Sequence, residues 1–499
     1  MTTSHSTTAR GIADAVRSGN TSAEAVVLAA LGRARQTDDL GAYLSLMEDD
    51  ALTRARTLDE RRERGEKLGP LAGVPIAVKD AICAAGHPTT AGSKILTRDG
   101  SAKTGWRPPY DATVIERLRR ADAIVMGKTN MDEFAMGSSN ENSAFGVVKN
   151  PWDVTRIPGG SSGGSAVAVA TQSAPLSLGS DTGGSIRQPA ALTGVVGVKP
   201  SYGRVSRYGL VAFASSLDQI GPFGFDVADC ARLLEVIAGR DPRDSTSSER
   251  AVGAYEDACD RGVAGLRIGV PAQYFADGLE PAVRARVEAG LETLEAAGAR
   301  LVPVELPTTR HGVATYYILA TAEASSNLAR FDGVRFGARA GGARTLDDLY
   351  QKTRAEGFGA EVKRRILLGT YVLSAGYYDA YYEKARQVRR LIAADFARVF
   401  ESVDVLAGPT SPTPAFTLGE RVDDPLSMYL ADVYTLPASL AGLCALSVPV
   451  GLTEANERFP SLPVGLQLLA PGFEEERLFA AAGVVQHAFP FQPPETTQT

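Results

Sequence analysis

Short apolar runs bounded by glycine or proline recur along this 499-residue chain, with helical patterns between them. A run of about four to eight residues rich in β-formers predicts a buried strand, and strands that alternate with helices predict an α/β fold. Because the runs in both halves of the chain look alike, we expect them to join one large sheet. They span residues 70–78, 123–126, 175–178, 266–270, 301–306, 403–406, 445–450 and 464–469.

The N-terminal part of the chain, residues 1–68, is predicted to be a helical segment packed on the core. Thr21 and Glu24 have the spacing of a capping box before a helix over 25–35. The mixed-charge stretch 49–64 is typical of a solvated helix.

One core domain is expected to follow, over residues 69–490, with a tail over 491–499. The polar stretch 241–249 is the best candidate for a linker. The apolar runs after it resemble those before it, which favours a single domain.

Charge and cysteine content exclude several classes of protein. The formal net charge is −6, the wrong sign for a chain that grips nucleic acid by itself, so another subunit would have to hold a nucleic-acid partner. No run approaches the roughly 18 apolar residues of a membrane span, and residues 1–10 lack a secretory signal, which favours the cytoplasm. No metal-ligand spacing is visible, and four cysteines without C-x-x-C spacing predict neither disulfides nor a zinc site: Cys83, Cys230, Cys259 and Cys444.

Two serine-glycine clusters and one lysine are the best candidates for catalysis. Ser161 lies in the cluster 159–165, Ser185 ends the cluster 181–185, and Lys79 ends a predicted strand. A serine nucleophile needs a base, and a buried neutral lysine can accept its proton. Lowering a lysine pKa by about 3 units costs about 4 kcal/mol, which requires a dry site. Histidine is the usual base for a serine nucleophile, but the chain has only four histidines and none lies in a recognisable catalytic motif: His5, His87, His311 and His487.

The second cluster can supply an oxyanion hole. Thr182, Gly183 and Gly184 can point successive backbone N–H groups at a developing oxyanion, before a helix expected to begin near Ser185. Ser185 is therefore the expected nucleophile, with Ser161 passing its proton to Lys79. Asp181 and Arg187 are expected to form an ion pair that braces the turn. Ser162 is expected to support the site by a hydrogen bond.

Each segment also has a simpler interpretation. A Gly-Gly-Ser-Ser-Gly-Gly stretch alone is typical of a flexible linker, and a lysine after an apolar strand is typical of an exposed strand end. A glycine cluster before a helix can bind phosphate, but both common phosphate-loop patterns are absent around these positions. A non-catalytic scaffold or nucleotide-binding module therefore stays open beside an acyl-transferring hydrolase.

Together, in this order and spacing, the three segments resemble the amidase signature family. The resemblance implies one large α/β domain, with a central mixed β-sheet flanked by helices on both faces and a signature core over 71–222. It also implies a Ser-Ser-Lys triad: Lys79 is the base, Ser161 follows a cis peptide bond, and Ser185 is the acyl nucleophile. Residues 182–185 then form the oxyanion hole.

Later segments resemble one branch of that family, the A subunits of glutamyl-tRNA(Gln) and aspartyl-tRNA(Asn) amidotransferases. The resemblance implies a site for free glutamine at Tyr316, Arg365, Asp432 and Ser138. A zwitterion needs a guanidinium for its carboxylate and a carboxylate for its ammonium, which Arg365 and Asp432 can provide. The segments are 136–139, 323–333, 361–366, 376–382 and 424–435.

Without the resemblance, these residues have ordinary interpretations. Residues 363–365 are typical of a solvated helix face, and Asp432 of a helix end. We expect the aromatic run 377–382 to pack in the core. The polar loop 97–107 is expected to be a surface elaboration that alters a partner contact or covers the pocket.

The resemblance implies a glutaminase that hydrolyses glutamine and supplies ammonia to a partner. That partner, a tRNA-binding kinase called the B subunit, would use ATP and Mg²⁺ to convert Glu-tRNA(Gln) to Gln-tRNA(Gln), Asp-tRNA(Asn) to Asn-tRNA(Asn), or both. A small C subunit would clamp the A and B subunits together. This chain would then need no cofactor, would meet tRNA only through the complex, and would work in a cytoplasmic heterotrimer. The alternative is a stand-alone amidase that acts on another small amide.

Overall fold

Eleven strands form a single mixed sheet in the computed structural model, which describes residues 8–456, 460–490 and 492–494. His5 and most of the predicted tail 491–499 lie outside the described residues. The strand order across the sheet is β1-β3-β2-β4-β6-β5-β10-β11-β9-β7-β8. The strands are β1 (Tyr43–Leu46), β2 (Pro75–Lys79), β3 (Ile124–Thr129), β4 (Leu176–Asp181), β5 (Val196–Lys199), β6 (Gln219–Gly224), β7 (Arg267–Pro271), β8 (Arg300–Val304), β9 (Val405–Pro409), β10 (Cys444–Leu452) and β11 (Pro463–Ala470).

Helices cover both faces of this sheet, which confirms the predicted fold class. Alternate residues of β2 point to opposite faces. Ile76 and Val78 join the larger core with residues of α4, whereas Ala77 joins a smaller core with residues of α2 and α3. The helices are α1 (Ala9–Ser18), α2 (Ala23–Gln36), α3 (Glu48–Glu63), α4 (Thr113–Arg120), α5 (Gly163–Ala170), α6 (Arg187–Thr193), α7 (Val227–Ile237), α8 (Tyr255–Ala258), α9 (Pro281–Ala296), α10 (Gly312–Leu328), α11 (Leu346–Gly357), α12 (Ala360–Leu373), α13 (Lys384–Val399), α14 (Pro425–Leu430), α15 (Leu436–Leu440) and α16 (Glu475–Ala488).

The sheet contains two groups of three parallel strands joined by antiparallel pairs, and β1 adds an antiparallel strand at one edge. β2 runs parallel to both β3 and β4, and β7 runs parallel to both β8 and β9. The β4–β6, β6–β5, β5–β10, β10–β11 and β11–β9 pairs are antiparallel. The carboxyl ends of parallel neighbours meet at one edge. Lys79, the last residue of β2, and Asp181, the last residue of β4, therefore lie at the same edge of the sheet, with Asp181 two residues farther along in the register.

Three local expectations were wrong. The segment predicted to be helical also contributes strand β1, which pairs antiparallel with β3 at the edge of the sheet. The cap of α2 is Ser22 rather than Thr21, because the Ser22 hydroxyl accepts the Ala25 N–H (3.0 Å). The aromatic run 377–382 is not packed in the core: Tyr377, Tyr378 and Tyr381 are exposed.

The polar stretch 241–249 is not a linker between domains. Asp241 is buried, and its carboxylate accepts hydrogen bonds from the hydroxyls of Ser206 (2.7 Å) and Thr113. The stretch is thereby tied to the start of α4. Within the described part of the chain, no helix has the length and apolar content needed to cross a bilayer.

Candidate active site

Lys79 is fully buried at the end of β2, which excludes an exposed strand end. Its Nζ donates to the hydroxyls of Ser161 (2.8 Å) and Ser162 (2.7 Å) and contacts the Ser180 carbonyl (3.4 Å). Burial lowers the pKa of Lys79 to about 7, although three nearby carboxylates favour its charged form. The amine can therefore be neutral near neutral pH, as a general base must be.

Ser161 lies on a buried loop that its neighbours hold in place. The Gly160–Ser161 peptide bond is cis. The Gly160 N–H donates to the Gln188 side-chain carbonyl (3.0 Å), and the Ser161 carbonyl accepts the Asp132 N–H (3.2 Å). A Cβ atom at position 160 would overlap the Asp132 carboxylate, so glycine is required there. Because residues 159–165 are all buried, they are not a flexible linker.

The Ser185 loop is fixed by a buried ion pair. The Arg187 guanidinium binds both Asp181 carboxylate oxygens, with Nε 2.9 Å from Oδ2 and Nη2 3.0 Å from Oδ1. Asp181 Oδ2 also accepts the backbone N–H groups of Ile186 (3.3 Å) and Arg187 (3.4 Å). Helix α6 begins at Arg187, two residues after the position expected from the sequence. Residues 182–185 are thus a bent segment between β4 and α6.

This bent segment presents unpaired backbone donors. The N–H groups of Gly183, Gly184 and Ser185 make no hydrogen bond to any described residue, and all three residues are buried. Buried N–H groups without an acceptor are rare, because each costs free energy comparable to a lost hydrogen bond. Donors left in this way match an oxyanion hole.

The Ser185 hydroxyl likewise makes no hydrogen bond within the described part of the chain, and its residue keeps 8% of its surface exposed. A proton relay between Ser161 and Ser185 would therefore require a contact that forms only when substrate is bound. Catalytic hydrogen bonds commonly tighten only at that stage.

Tyr316, Asp432 and Ser138 gather beside the bent segment. A Cβ atom at Gly183 would lie 2.8 Å from Tyr316 Oη, and one at Gly184 would lie 3.2 Å from Asp432 Oδ1. The Ser138 hydroxyl donates to Asp432 Oδ2, whereas the buried Oδ1 has no hydrogen-bond partner among the described residues. Burial raises the pKa of Asp432 to about 7. An orphaned carboxylate oxygen beside the Ser185 loop is suited to an ammonium group.

Arg365 is 3% exposed, so it does not belong to a solvated helix face. Its Nε donates to Glu361 Oε1 (2.7 Å), and its guanidinium lies over the rings of Tyr317 (5.1 Å) and Tyr429 (5.5 Å). Its two terminal nitrogens make no hydrogen bond to a described residue. They are free to bind a carboxylate in a bidentate manner.

A model of the family described as Amidase matches residues 25–479. The A subunit of the glutamyl-tRNA(Gln) amidotransferase of Acidobacterium capsulatum is 58% identical over 474 residues, which cover 95% of this chain and 97% of that relative. The chain belongs to the amidase family, among the glutamyl-tRNA(Gln) amidotransferase A subunits.

Solved structures of amidases agree with this assignment. The A subunit of the glutamyl-tRNA(Gln) amidotransferase of Thermotoga maritima is 40% identical, with a TM-score of 0.77 and 95% of each chain covered. The peptide amidase of Stenotrophomonas maltophilia is 32% identical, with a TM-score of 0.80 and coverage of 98% of this chain and 99% of that one. The fold is thus shared by an amidotransferase A subunit and a peptide amidase, and this chain is more similar in sequence to the A subunit.

The amidase site also contains residues that sequence reasoning missed. Glu361 accepts from Arg365 and from the Tyr429 hydroxyl (3.0 Å), and its spacing of four residues from Arg365 could have revealed the pair. Gln188 connects the Ser161 loop to the segment that carries Ser138. Its side-chain oxygen accepts the Gly160 N–H, and its amide donates to the Ser138 carbonyl (2.8 Å). Asp218 accepts a hydrogen bond from the Thr182 hydroxyl (2.7 Å), and no motif in the sequence around Asp218 indicates this contact. No group of three metal-ligating side chains was found among the described residues.

Proposed function

We propose that this chain is the glutaminase subunit of a tRNA-dependent amidotransferase. One observation carries the proposal: Asp432 keeps an orphaned carboxylate oxygen beside the Ser185 loop, and the buried Arg365, packed on Tyr317 and Tyr429, keeps two free guanidinium nitrogens. A free amino acid carries the matching ammonium and carboxylate groups. The membership among A subunits supports glutamine as that amino acid.

The proposed reaction is acyl transfer through a glutamyl ester. Ser185 Oγ attacks the side-chain amide carbon while its proton passes through the Ser161 hydroxyl to neutral Lys79. The tetrahedral oxyanion accepts hydrogen bonds from backbone N–H groups of the segment 182–185. The C–N bond then breaks, and the proton held on Lys79 returns through Ser161 to the leaving nitrogen, which departs as ammonia. Water resolves the ester, giving glutamate and free Ser185.

The ammonia is used outside this chain. In this proposal, the B subunit binds Glu-tRNA(Gln) or Asp-tRNA(Asn) and activates its ester with ATP and Mg²⁺, and the small C subunit clamps the pair. This chain needs no cofactor and meets tRNA only within the cytoplasmic complex. A second candidate function is that of a stand-alone amidase acting on another small amide, which the similarity to the peptide amidase structure supports.

Reconstitution distinguishes the two candidates. This chain is co-expressed with the companion subunits, and glutamine-dependent conversion of misacylated tRNA is measured. Ammonia release that depends on the complete complex supports the amidotransferase. Hydrolysis of neutral amides by the isolated chain, as fast as or faster than hydrolysis of glutamine, supports the stand-alone amidase instead.

Replacing Arg365 tests the zwitterion pocket. Arg365→Ala is expected to raise KM for glutamine about 100-fold, because a buried charged hydrogen bond of about 2–3 kcal/mol is lost. Hydrolysis of a neutral amide should be spared. Arg364→Ala is the matched control, because Arg364 is exposed and binds the same Glu361 carboxylate. Equal losses on glutamine and on a neutral amide would remove the pocket argument.

The pH dependence tests the two buried titrating groups. Lys79, with a pKa lowered to about 7, accepts a proton only when neutral, and Asp432, with a pKa raised to about 7, binds ammonium best when ionised. Neutral Lys79 and ionised Asp432 are therefore both lost as the pH falls through 7. We expect kcat/KM to fall at least about tenfold from pH 8 to pH 6. Asp432→Asn should make the acidic limb shallower, whereas a flat wild-type profile over this range would contradict both assignments.

A further inference from the structure

A basic cavity of about 1190 Å³ lies beside the glutamine pocket and takes no part in the proposed chemistry. Its walls come from the polar loop 97–107, the segment 209–212 and the segment 327–339. The loop is ordered by bridges that pair Thr97 with Gly105 and Thr89 with Trp106. We call this cavity the arginine cleft.

The arginine cleft and the glutamine pocket share a wall. Segment 209–212 leads directly to Phe213, whose ring centroid lies 5.7 Å from the Arg365 guanidinium carbon. The Asn327 amide in the cleft donates to the Phe213 carbonyl (3.1 Å). A ligand in the cleft would therefore sit beside the substrate site without entering it.

The cleft is lined by six cationic side chains and by no carboxylate of the described residues. None of the six pairs with a carboxylate in the described part of the chain. By contrast, two arginines of neighbouring loops form ion pairs: Arg207 with Asp244 (3.8 Å) and Arg243 with Glu116 (2.8 Å). Six unpaired cations in a chain of net charge −6 indicate a surface for an anionic ligand. They are Arg98, Lys103, Arg107, Arg330, Arg335 and Arg339.

The floor of the cleft is apolar, and aromatic rings stand at its rim. Leu96, Leu210 and Val211 line it, while Trp106 is 40% exposed and Phe336 is 52% exposed. Aromatic and arginine side chains around an apolar centre are typical of the anchoring sites of protein–protein interfaces. Nucleic-acid surfaces are more polar, and a chain of net negative charge repels RNA at long range.

We propose that the arginine cleft binds an acidic peptide segment of a companion subunit. Carboxylates of that segment pair with the arginines, and apolar side chains between them pack on the floor between Trp106 and Phe336. This inference rests on the proposed function, because it requires an assembled complex.

Photo-crosslinking in the complex tests the occupant directly. The photoreactive residue p-benzoylphenylalanine replaces Trp106, and the complex with its companion subunits is irradiated and analysed by mass spectrometry. We expect a crosslink to a companion segment in which Asp and Glu outnumber Lys and Arg. The same residue at Leu28, which is 50% exposed on α2, is the control for exposure alone.

Charge reversal tests the role of the cations. The Arg98→Glu, Arg335→Glu double variant is expected to reduce the crosslink yield and the affinity for the companion at least about tenfold. These side chains make no hydrogen bond to a described residue, so the fold should be retained. Arg300→Glu reverses an exposed arginine on β8, at the far edge of the sheet, and should change neither quantity.

The outcomes separate the two proposals. An active complex that gives no crosslink at position 106, or a crosslink to RNA or to a segment without excess acid, overturns the docking inference alone. Failure of the wild-type chain to assemble with any companion overturns the proposed function, and the docking inference with it.

Discussion

Ser185→Ala is expected to lower the rate of ammonia release from glutamine by about 10⁴-fold or more. The variant loses the oxygen that forms the acyl ester, and the remaining oxyanion donors cannot replace a nucleophile. The measurement is a coupled assay of ammonia with saturating glutamine. Because the Ser185 hydroxyl makes no hydrogen bond to a described residue, the free energy of unfolding should change by less than about 1 kcal/mol.

Ser177→Ala is the matched control for this variant. Ser177 is a buried serine of β4, and its hydroxyl donates to the Ser165 carbonyl (2.8 Å) rather than facing the bent segment. It should remain active with a modest loss of stability of about 1 kcal/mol. Glutaminase activity that survives in Ser185→Ala would remove the nucleophile assignment, whatever the control shows.

Lys79→Met is expected to lower the same rate by about 10⁴-fold, because the triad loses its only proton acceptor. Glutamine binding should persist, since Tyr316, Arg365 and Asp432 do not contact the lysine through any hydrogen bond among the described residues. Binding is measured by calorimetry with the inactive variant. Unchanged turnover would show that another group takes the proton.

The stability of the Lys79 variant gives a second, independent readout. The folded pKa of about 7 lies below the ordinary lysine pKa of 10.5, so between these pH values the unfolded chain binds more protons. The wild-type free energy of unfolding should therefore gain about 2–3 kcal/mol from Lys79 between pH 7 and pH 9. Lys79→Met should lack this gain. Equal pH dependence in both proteins would show that the amine is charged in the folded state.

The strands that were predicted share a simple local pattern, and those that were missed do not. β10 and β11 are long apolar runs, which have few alternatives to a buried strand. β5 and β6 are interrupted by glycine or proline, and their place between β4 and β10 depends on pairing partners far along the chain. Local propensity cannot report such pairing.

The same division applies to the site. Glycines at 160, 183 and 184 mark places where backbone must approach other groups closely, so the loops that carry Ser161 and Ser185 could be found locally. The roles given to Tyr316, Arg365 and Asp432 came from resemblance. Spacing indicates that Glu361 pairs with an arginine of α12, but both Arg364 and Arg365 have a suitable spacing, so the local sequence does not say which of them is buried. The exposed tyrosines at 377, 378 and 381 were misjudged for that reason.

The sequence by itself determined the α/β class, the central strands and the two loops that carry the hydroxyls. Only the tertiary structure decided that Lys79 is dehydrated, that Asp432 keeps an unpaired oxygen, and that six cations surround one cleft. These are properties of the electrostatic environment. They depend on which distant segments remove water or supply a counter-charge, and spacing along the chain does not encode either.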